Sequence, residues 1–341
     1  MTVLERYSRQ VLLKEIGKEG QERLCKSSVA VIGCGALGTV IASTVVRAGV
    51  GRVRIVDRDY VELSNLQRQV LFDEEDISRG LPKAIAAAEK LKRINSDVLI
   101  EPVVTDVNPG NVQDLIRDVD LILDGTDNFE TRFLINDASA KHRIPWVYGA
   151  VVDTYGMTMT IVPQRTPCFR CLLSELPPPG SRSTCDTVGV LATAVNIVAS
   201  LEVTEGIKLL LGREHVLCGK LVYVDAWNAT LDQFEVHKRD TPCRVCDEGS
   251  YDFLEGRAGT YASALCGRDA VQLNLRGESQ VSFSDLARQL ERVGEVAYNA
   301  HMLRFRVEKY ELNLFPDGRA IVKGTTDMDL ARSLYARYIG T

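Results

Sequence analysis

The sequence predicts an α/β protein with a Rossmann-like, doubly wound, mostly parallel sheet continued by antiparallel strands, followed by a small α+β domain. Three observations predict it. Apolar runs of strand length alternate with apolar-periodic helical stretches from residue 29 to about residue 124, the pattern of a parallel sheet with right-handed crossovers. The glycine-rich "VAVIGCGALG" (29–38) joins the first strand to the first long helix. "WVYGAVVDTYGMTMTIVP" (146–163) has strand character throughout, and its length calls for antiparallel strands beyond the parallel ones.

Taken in order, residues 1–28 contain the amphipathic "RYSRQVLLKEIGKEGQERL", expected to form one or two helices. A buried strand follows at 29–32, a helix at 38–48, and a second strand at 52–56. A polar irregular segment runs from Asp57 to Pro82, then a helix over "KAIAAAEKLKRINS" and strands near 98–105 and 119–124. Within 146–163, Gly149 and Gly156 are the expected bends. "SELPPPGSRSTC" cannot continue helix or sheet and is expected to be an exposed loop. "TVGVLATAVNIVASLEVTEGIKLLLG" reads as one apolar helix for a core or subunit interface, too polar at Asn196, Glu202 and Glu205 for a membrane span. The expected division is a main domain over 1–247, a linker over 248–266 and an α+β domain over 267–341, with "FPDGRA" as a hairpin turn.

Composition narrows the function classes. The 341 residues allow one α/β domain and something smaller, and 45% hydrophobic with 26% charged residues is ordinary for a globular protein. A net charge of −5 argues against non-specific nucleic-acid binding. With no N-terminal signal pattern and no apolar run of about 20 residues, no membrane association is expected and a cytoplasmic location is. In such a compartment the nine cysteines point to metal or catalysis before disulfides.

The glycine turn reads two ways. Gly33 permits the tight turn, Gly35 lets backbone approach a phosphate and Gly38 lets strand and helix pack closely. The same residues also suit a closely packed βα turn with no ligand. "PCFRC" and "PCRVC" supply Cys168, Cys171, Cys243 and Cys246. Four thiolates from two C-x₂-C knuckles make the tetrahedral set of a structural Zn²⁺, stapling residues far apart in sequence. The alternative, redox-active dithiols, expects a helix start directly after a strand, which neither knuckle clearly has.

"DRDYVELSNLQRQ" (57–69) carries more specific information. With "RYSRQ", "GLPKA", "DGTDNFETR", "STCDTVGV" and the two knuckles, all in order, it resembles the ThiF/MoeB/HesA family, bacterial relatives of ubiquitin-activating enzymes. The resemblance runs from about residue 5 to residue 247. It implies ATP- and Mg²⁺-dependent adenylation of the C-terminal glycine of a β-grasp sulfur-carrier protein ending in Gly-Gly, for thiamin thiazole or molybdopterin synthesis. The matched positions implied to hold the nucleotide are Gly33, Gly35, Ala36, Asp57, Asp59, Ser64, Asn65, Leu66, Gln67, Arg68, Lys83, Asp127 and Asn128.

The residue types suit that chemistry. A carboxylate attacking an α-phosphate needs the anionic repulsion offset, which Arg68 and Lys83 can do. Asp127, after the strand "DLILDG", can hold Mg²⁺, although an Asp there is often only a helix N-cap. Arg68 could equally be half of a surface ion pair. The resemblance places Arg9 in a neighbouring subunit's phosphate site, implying a homodimer. Cys185 lies before a helix and near Arg182, a setting that favours thiolate, while Asp186 opposes it; it is either a sulfur-handling nucleophile or a conformational residue of a crossover loop. Ala36 stands where the family often has a second glycine. The chain lacks a rhodanese-like extension, so a separate sulfur donor such as a cysteine desulfurase is implied. Two other readings stay open, a non-catalytic binding module for a ubiquitin-like protein and adenylation of a tRNA-linked carboxylate. Hydride transfer is disfavoured, because His142, His215, His237 and His301 fall in no acid–base setting.

Overall fold

The computed structural model describes residues 3–178, 181, 184–237, 242–264, 270–276, 281–299, 302–316 and 318–340. Three short helices, Val3–Arg6, Ser8–Val11 and Gly17–Leu24, precede the first sheet, where one or two were expected. That sheet contains β1 (Ser28–Ile32), β2 (Arg52–Val56), β3 (Leu99–Val103), β4 (Leu121–Asp124), β5 (Trp146–Val152), β6 (Tyr155–Ile161), β7 (Leu221–Asp225) and β8 (Thr230–Phe234). Their order is β3-β2-β1-β4-β5-β6-β7-β8. The first five in space are parallel and the rest antiparallel. β1 is buried along its whole length, as the continuous "SVAVI" run of a central parallel strand requires.

Two cores fill the faces of this sheet. One packs the Ala36–Ala48, Lys83–Ile94 and Ala192–Leu210 helices against one face, through small residues such as Ala84, Ala87 and Ala88. The other packs the Phe129–His142 helix and the cysteine knuckles against the opposite face, around Trp146, Phe133 and Phe169.

Three expectations are corrected. The helix expected over 187–212 is broken: Cys185–Val188 is one turn and Ala192–Leu210 the next helix. Gly189 sits between them at φ 88°, and Val190 bridges to Asp153. The bends in 146–163 are not at the glycines, because the turn is at Asp153, φ 58°. Gly149 is instead required by close approach, since a Cβ there would lie 2.4 Å from the Glu202 carboxylate. The segment read as a linker over 248–266 is structured in its described part. Phe253 and Leu254 are buried in the second core, their backbone N–H groups donating to Asp137, and β9 (Gly259–Ala264) is a strand.

β9 begins a second, six-stranded antiparallel sheet with β10 (Ala270–Arg276), β11 (Glu295–Tyr298), β12 (Leu303–Val307), β13 (Tyr310–Leu314) and β14 (Ala320–Lys323). The β13–β14 hairpin falls on "FPDGRA", with Phe315 and Arg319 paired across it. The Phe283–Leu290 and Met328–Tyr338 helices close the core of this unit.

Candidate functional site

A cavity of about 500 Å³ opens where β1, β2 and β4 end. The chain leaves β1 for β2 on one side and is joined by β4 on the other, so the cavity lies at a topological switch point, where open α/β sheets bind ligands. The glycine turn forms its floor. At Gly33 (φ 89°) a Cβ would meet the Gly125 carbonyl oxygen at 2.5 Å, and at Gly38 it would meet the Gly33 oxygen at 1.9 Å. These two glycines are spent on packing. Gly35 meets only the Gln69 amide, at 3.9 Å, so its backbone is open to whatever fills the cavity, and Ala36 beside it also lines the wall.

Asp57, just past β2, points its carboxylate inward. It accepts N–H bonds from Cys34 (2.6 Å) and Asp59 (2.7 Å), which ties the glycine turn to the end of β2. Burial raises its pKa, only partly offset by Lys83. Asp59 carries an ion pair with Lys83 at 3.2 Å and a longer one with Arg58 at 3.7 Å. Burial pushes the Asp59 carboxyl up, but these two cations outweigh it and hold it below its ordinary value. Lys83, the first residue of its helix, is buried and would be pushed down by desolvation; Asp57 and Asp59 reverse this and keep it protonated. It is therefore a cation held in place by carboxylates.

The next segment divides the expected residues. Ser64, Asn65 and Arg68 line the cavity, whereas Leu66 packs into the core and Gln67 is exposed away from it. The chain makes a three-residue helical turn at Leu63–Asn65, and Ser64, Asn65 and Arg68 reach the cavity from it and from the residues just after it. Asn65 spends its side-chain carbonyl on the Glu62 N–H, and Arg68 donates to the Ser64 carbonyl at 2.8 Å. Gln69, in the same motif but outside the expected set, is buried on the cavity wall with its Oε1 lacking a hydrogen-bond partner among the described residues.

Beyond β4, Asp127 is exposed at the cavity. The N-cap of the Phe129–His142 helix is Asn128, whose Oδ1 accepts from the Thr131 N–H at 2.8 Å. The capping alternative for Asp127 thus falls on its neighbour, and the Asp127 carboxylate is left to face the cavity. Sequence reasoning missed what holds this turn. Arg132 donates to the Asp124 carboxylate (3.1 Å) and to the carbonyls of Thr126 (2.6 Å) and Gly149 (3.0 Å). Both partners lie in "DGTDNFETR", but their pairing is a contact across a turn, with no spacing signal.

Cys185 lines the same cavity as the first residue of the Cys185–Val188 turn, its thiol 3.2 Å from the Val151 carbonyl. Arg182, invoked beside it, lies outside the described residues. Arg9 is exposed on Ser8–Val11 and does not line this chain's own cavity. Away from the cavity, the thiols of Cys168, Cys171, Cys243 and Cys246 cluster within 4.8 Å of one another. Three edges measure 3.9, 3.7 and 3.8 Å. A tetrahedron with arms of about 2.3 Å has edges of about 3.8 Å, so the cluster could hold zinc.

Residues 7–245 match the ThiF family. The chain belongs to that family. It is 44% identical, over 98% of its length and 99% of the relative's, to a "Sulfur carrier protein ThiS adenylyltransferase" of Bacillus subtilis. It is 41% identical to a "SAMP-activating enzyme E1" of Haloferax volcanii, over 74% of this chain and 93% of that one. A crystal structure of E. coli MccB with MccA superposes at TM-score 0.63, covering 72% of this chain and 75% of that one at 21% identity, and shows the shared fold. In ThiF-family terms the match ends before the second sheet begins. No helix among the described residues is long and apolar enough to cross a membrane.

Proposed function

We infer that this ThiF-family chain is an ATP-dependent adenylyltransferase acting on the C-terminal carboxylate of a ubiquitin-like sulfur-carrier protein. The observation that carries the reading is the cavity itself: the open Gly35 backbone, the cations Arg68 and Lys83 among others, and the Asp127 carboxylate, which caps no helix, meet at the sheet's switch point. The relatives named adenylyltransferase and activating enzyme support it. ATP lies with its phosphates over the glycine turn, between Gly35, Arg68 and Lys83. The carrier's carboxylate attacks the α-phosphorus, the bond to the bridging oxygen breaks, and pyrophosphate leaves with that electron pair. Arg68 and Lys83 offset the negative charge that accumulates as the two anions meet. Asp57 and Asp59 keep Lys83 charged and fixed, so the cost of organising that cation is met on folding and not during the reaction.

Mg²⁺, when bound, supplies further neutralisation of the phosphates, and Asp127 is the residue that would hold it. The four thiols hold Zn²⁺ in a structural role, because four cysteine ligands leave no open coordination position. Cys185 faces the same cavity, positioned for a sulfur-transfer step after adenylation, with sulfur from a separate donor. Arg9 serves the cavity of a second copy of the chain, in a homodimer. Full-length similarity to the ThiS-directed relative, second sheet included, favours a carrier of the thiamin thiazole type over a molybdopterin one.

The test is ATP–pyrophosphate exchange with purified protein and each candidate carrier ending in Gly-Gly. Exchange with one carrier, lost by at least about a hundredfold in a folded Asp127→Ala variant, is the expected result. Exchange retained in that variant would remove Asp127 from the site, and no exchange with any carrier would overturn the adenylyltransferase reading.

A further inference from the structure

The cavity has a third wall that the ThiF-family match does not include. Ser333, Ala336, Arg337 and Gly340, from the last helix of the C-terminal unit and the residues just after it, line the same space as Gly35 and Lys83. They recur at i, i+3, i+4 and i+7, which is one face of a helix. The opposite face, Ala331, Leu334, Tyr335 and Tyr338, is buried against the second sheet. The helix therefore has two jobs: a bulky apolar face that builds its own domain, and a face of small residues with one arginine turned to the cavity.

Two contacts fix it there. Arg332 pairs with Asp106 at 3.8 Å, and Asp106 in turn pairs with Arg58 beside Asp59. The Thr184 hydroxyl donates to the Arg337 carbonyl at 2.6 Å, joining the helix end to the turn that begins with Cys185.

On the reading of this cavity as a nucleotide site, we propose that Arg337 is an added phosphate-binding residue, supplied in cis by the C-terminal domain to the polyphosphate of the bound nucleotide. The small side chains of Ser333, Ala336 and Gly340 leave the volume that the ligand occupies, and the guanidinium supplies the charge. Arg337 and Lys83 line the same cavity, and both favour the charged form of the Asp59 carboxyl, Lys83 the more strongly. The domain beyond the family match thus completes the site.

The test is calorimetric binding of Mg-ATP and of adenosine to full-length, zinc-loaded wild type, Arg337→Gln and Arg337→Lys, with thermal melts of all three. The expected result is an ATP Kd raised about tenfold or more in Arg337→Gln, partly recovered in Arg337→Lys, with adenosine binding and melting temperature unchanged. Wild-type ATP affinity in Arg337→Gln would overturn the proposal. So would an equal loss for adenosine, which would place the arginine against the nucleoside. Wild-type protein that binds no ATP would instead overturn the nucleotide reading of the cavity, and the proposal with it.

Discussion

Glu202 is fully buried behind the cavity, its Oε1 accepting the Asp124 N–H at 2.7 Å and its Oε2 without a hydrogen-bond partner among the described residues. Burial and the nearby Asp124 push its pKa well above the ordinary carboxylate value, against the opposing pull of Arg132. Below the unfolded pKa the group is protonated in both states and costs nothing. As pH rises from there towards the folded pKa, the native state keeps a proton that the unfolded state releases, so stability falls, by up to about 1.4 kcal/mol per pH unit. Glu202→Gln removes that dependence. Unfolding in urea between pH 5 and 8 should give a shallower decline in the variant than in wild type; parallel declines would show that Glu202 does not titrate in this way. Gly149 belongs to the same account, since any side chain there would displace this carboxyl.

Among the elements, the cysteine knuckles bring together chain segments 75 residues apart. Cys168 is backed by the amide of Asn136, Asp247 accepts from the Cys243 N–H, and the segment after Cys246 is tied to Asp137. A bound metal would restrain the unfolded chain across that span as well as satisfy the thiolates. Metal analysis of protein prepared without chelator should find about one zinc per chain, and Cys243→Ser should lose the metal and melt several degrees lower. Native protein with no zinc would defeat the four-thiolate site.

For the whole molecule, Arg9 is the expected catalytic residue that does not line its own chain's cavity. Leu12 and Leu13 beside it are 74% and 51% exposed, an apolar surface suited to burial against a second copy. If Arg9 acts across such a dimer, Arg9→Ala and Asp127→Ala chains should complement each other. Each mixed dimer has one intact site, so a random mixture should recover up to about a quarter of wild-type exchange activity. Two inactive variants that stay inactive after mixing and subunit exchange would exclude action in trans.

Local patterns in the sequence were enough for the parallel half of the sheet, the glycine turn and the two knuckles, because each depends on neighbours in the chain: apolar runs, positive-φ glycines, ligand spacing. The family resemblance added the residues expected to hold a nucleotide, and most of them line one cavity. What the sequence left undetermined depends on which way side chains turn within a motif and on contacts between distant segments. Leu66 and Gln67 share a motif with Arg68, but Leu66 packs against the core, Gln67 is exposed, and neither lines the cavity. Asn128 took the capping role weighed for Asp127, and that became visible only in the helix start. The bond from Arg132 to the Gly149 carbonyl, the room that Gly149 leaves for Glu202, and above all the arrival of Arg337 from the far end of the chain were decided by tertiary packing alone. No local periodicity records which distant face a helix will meet.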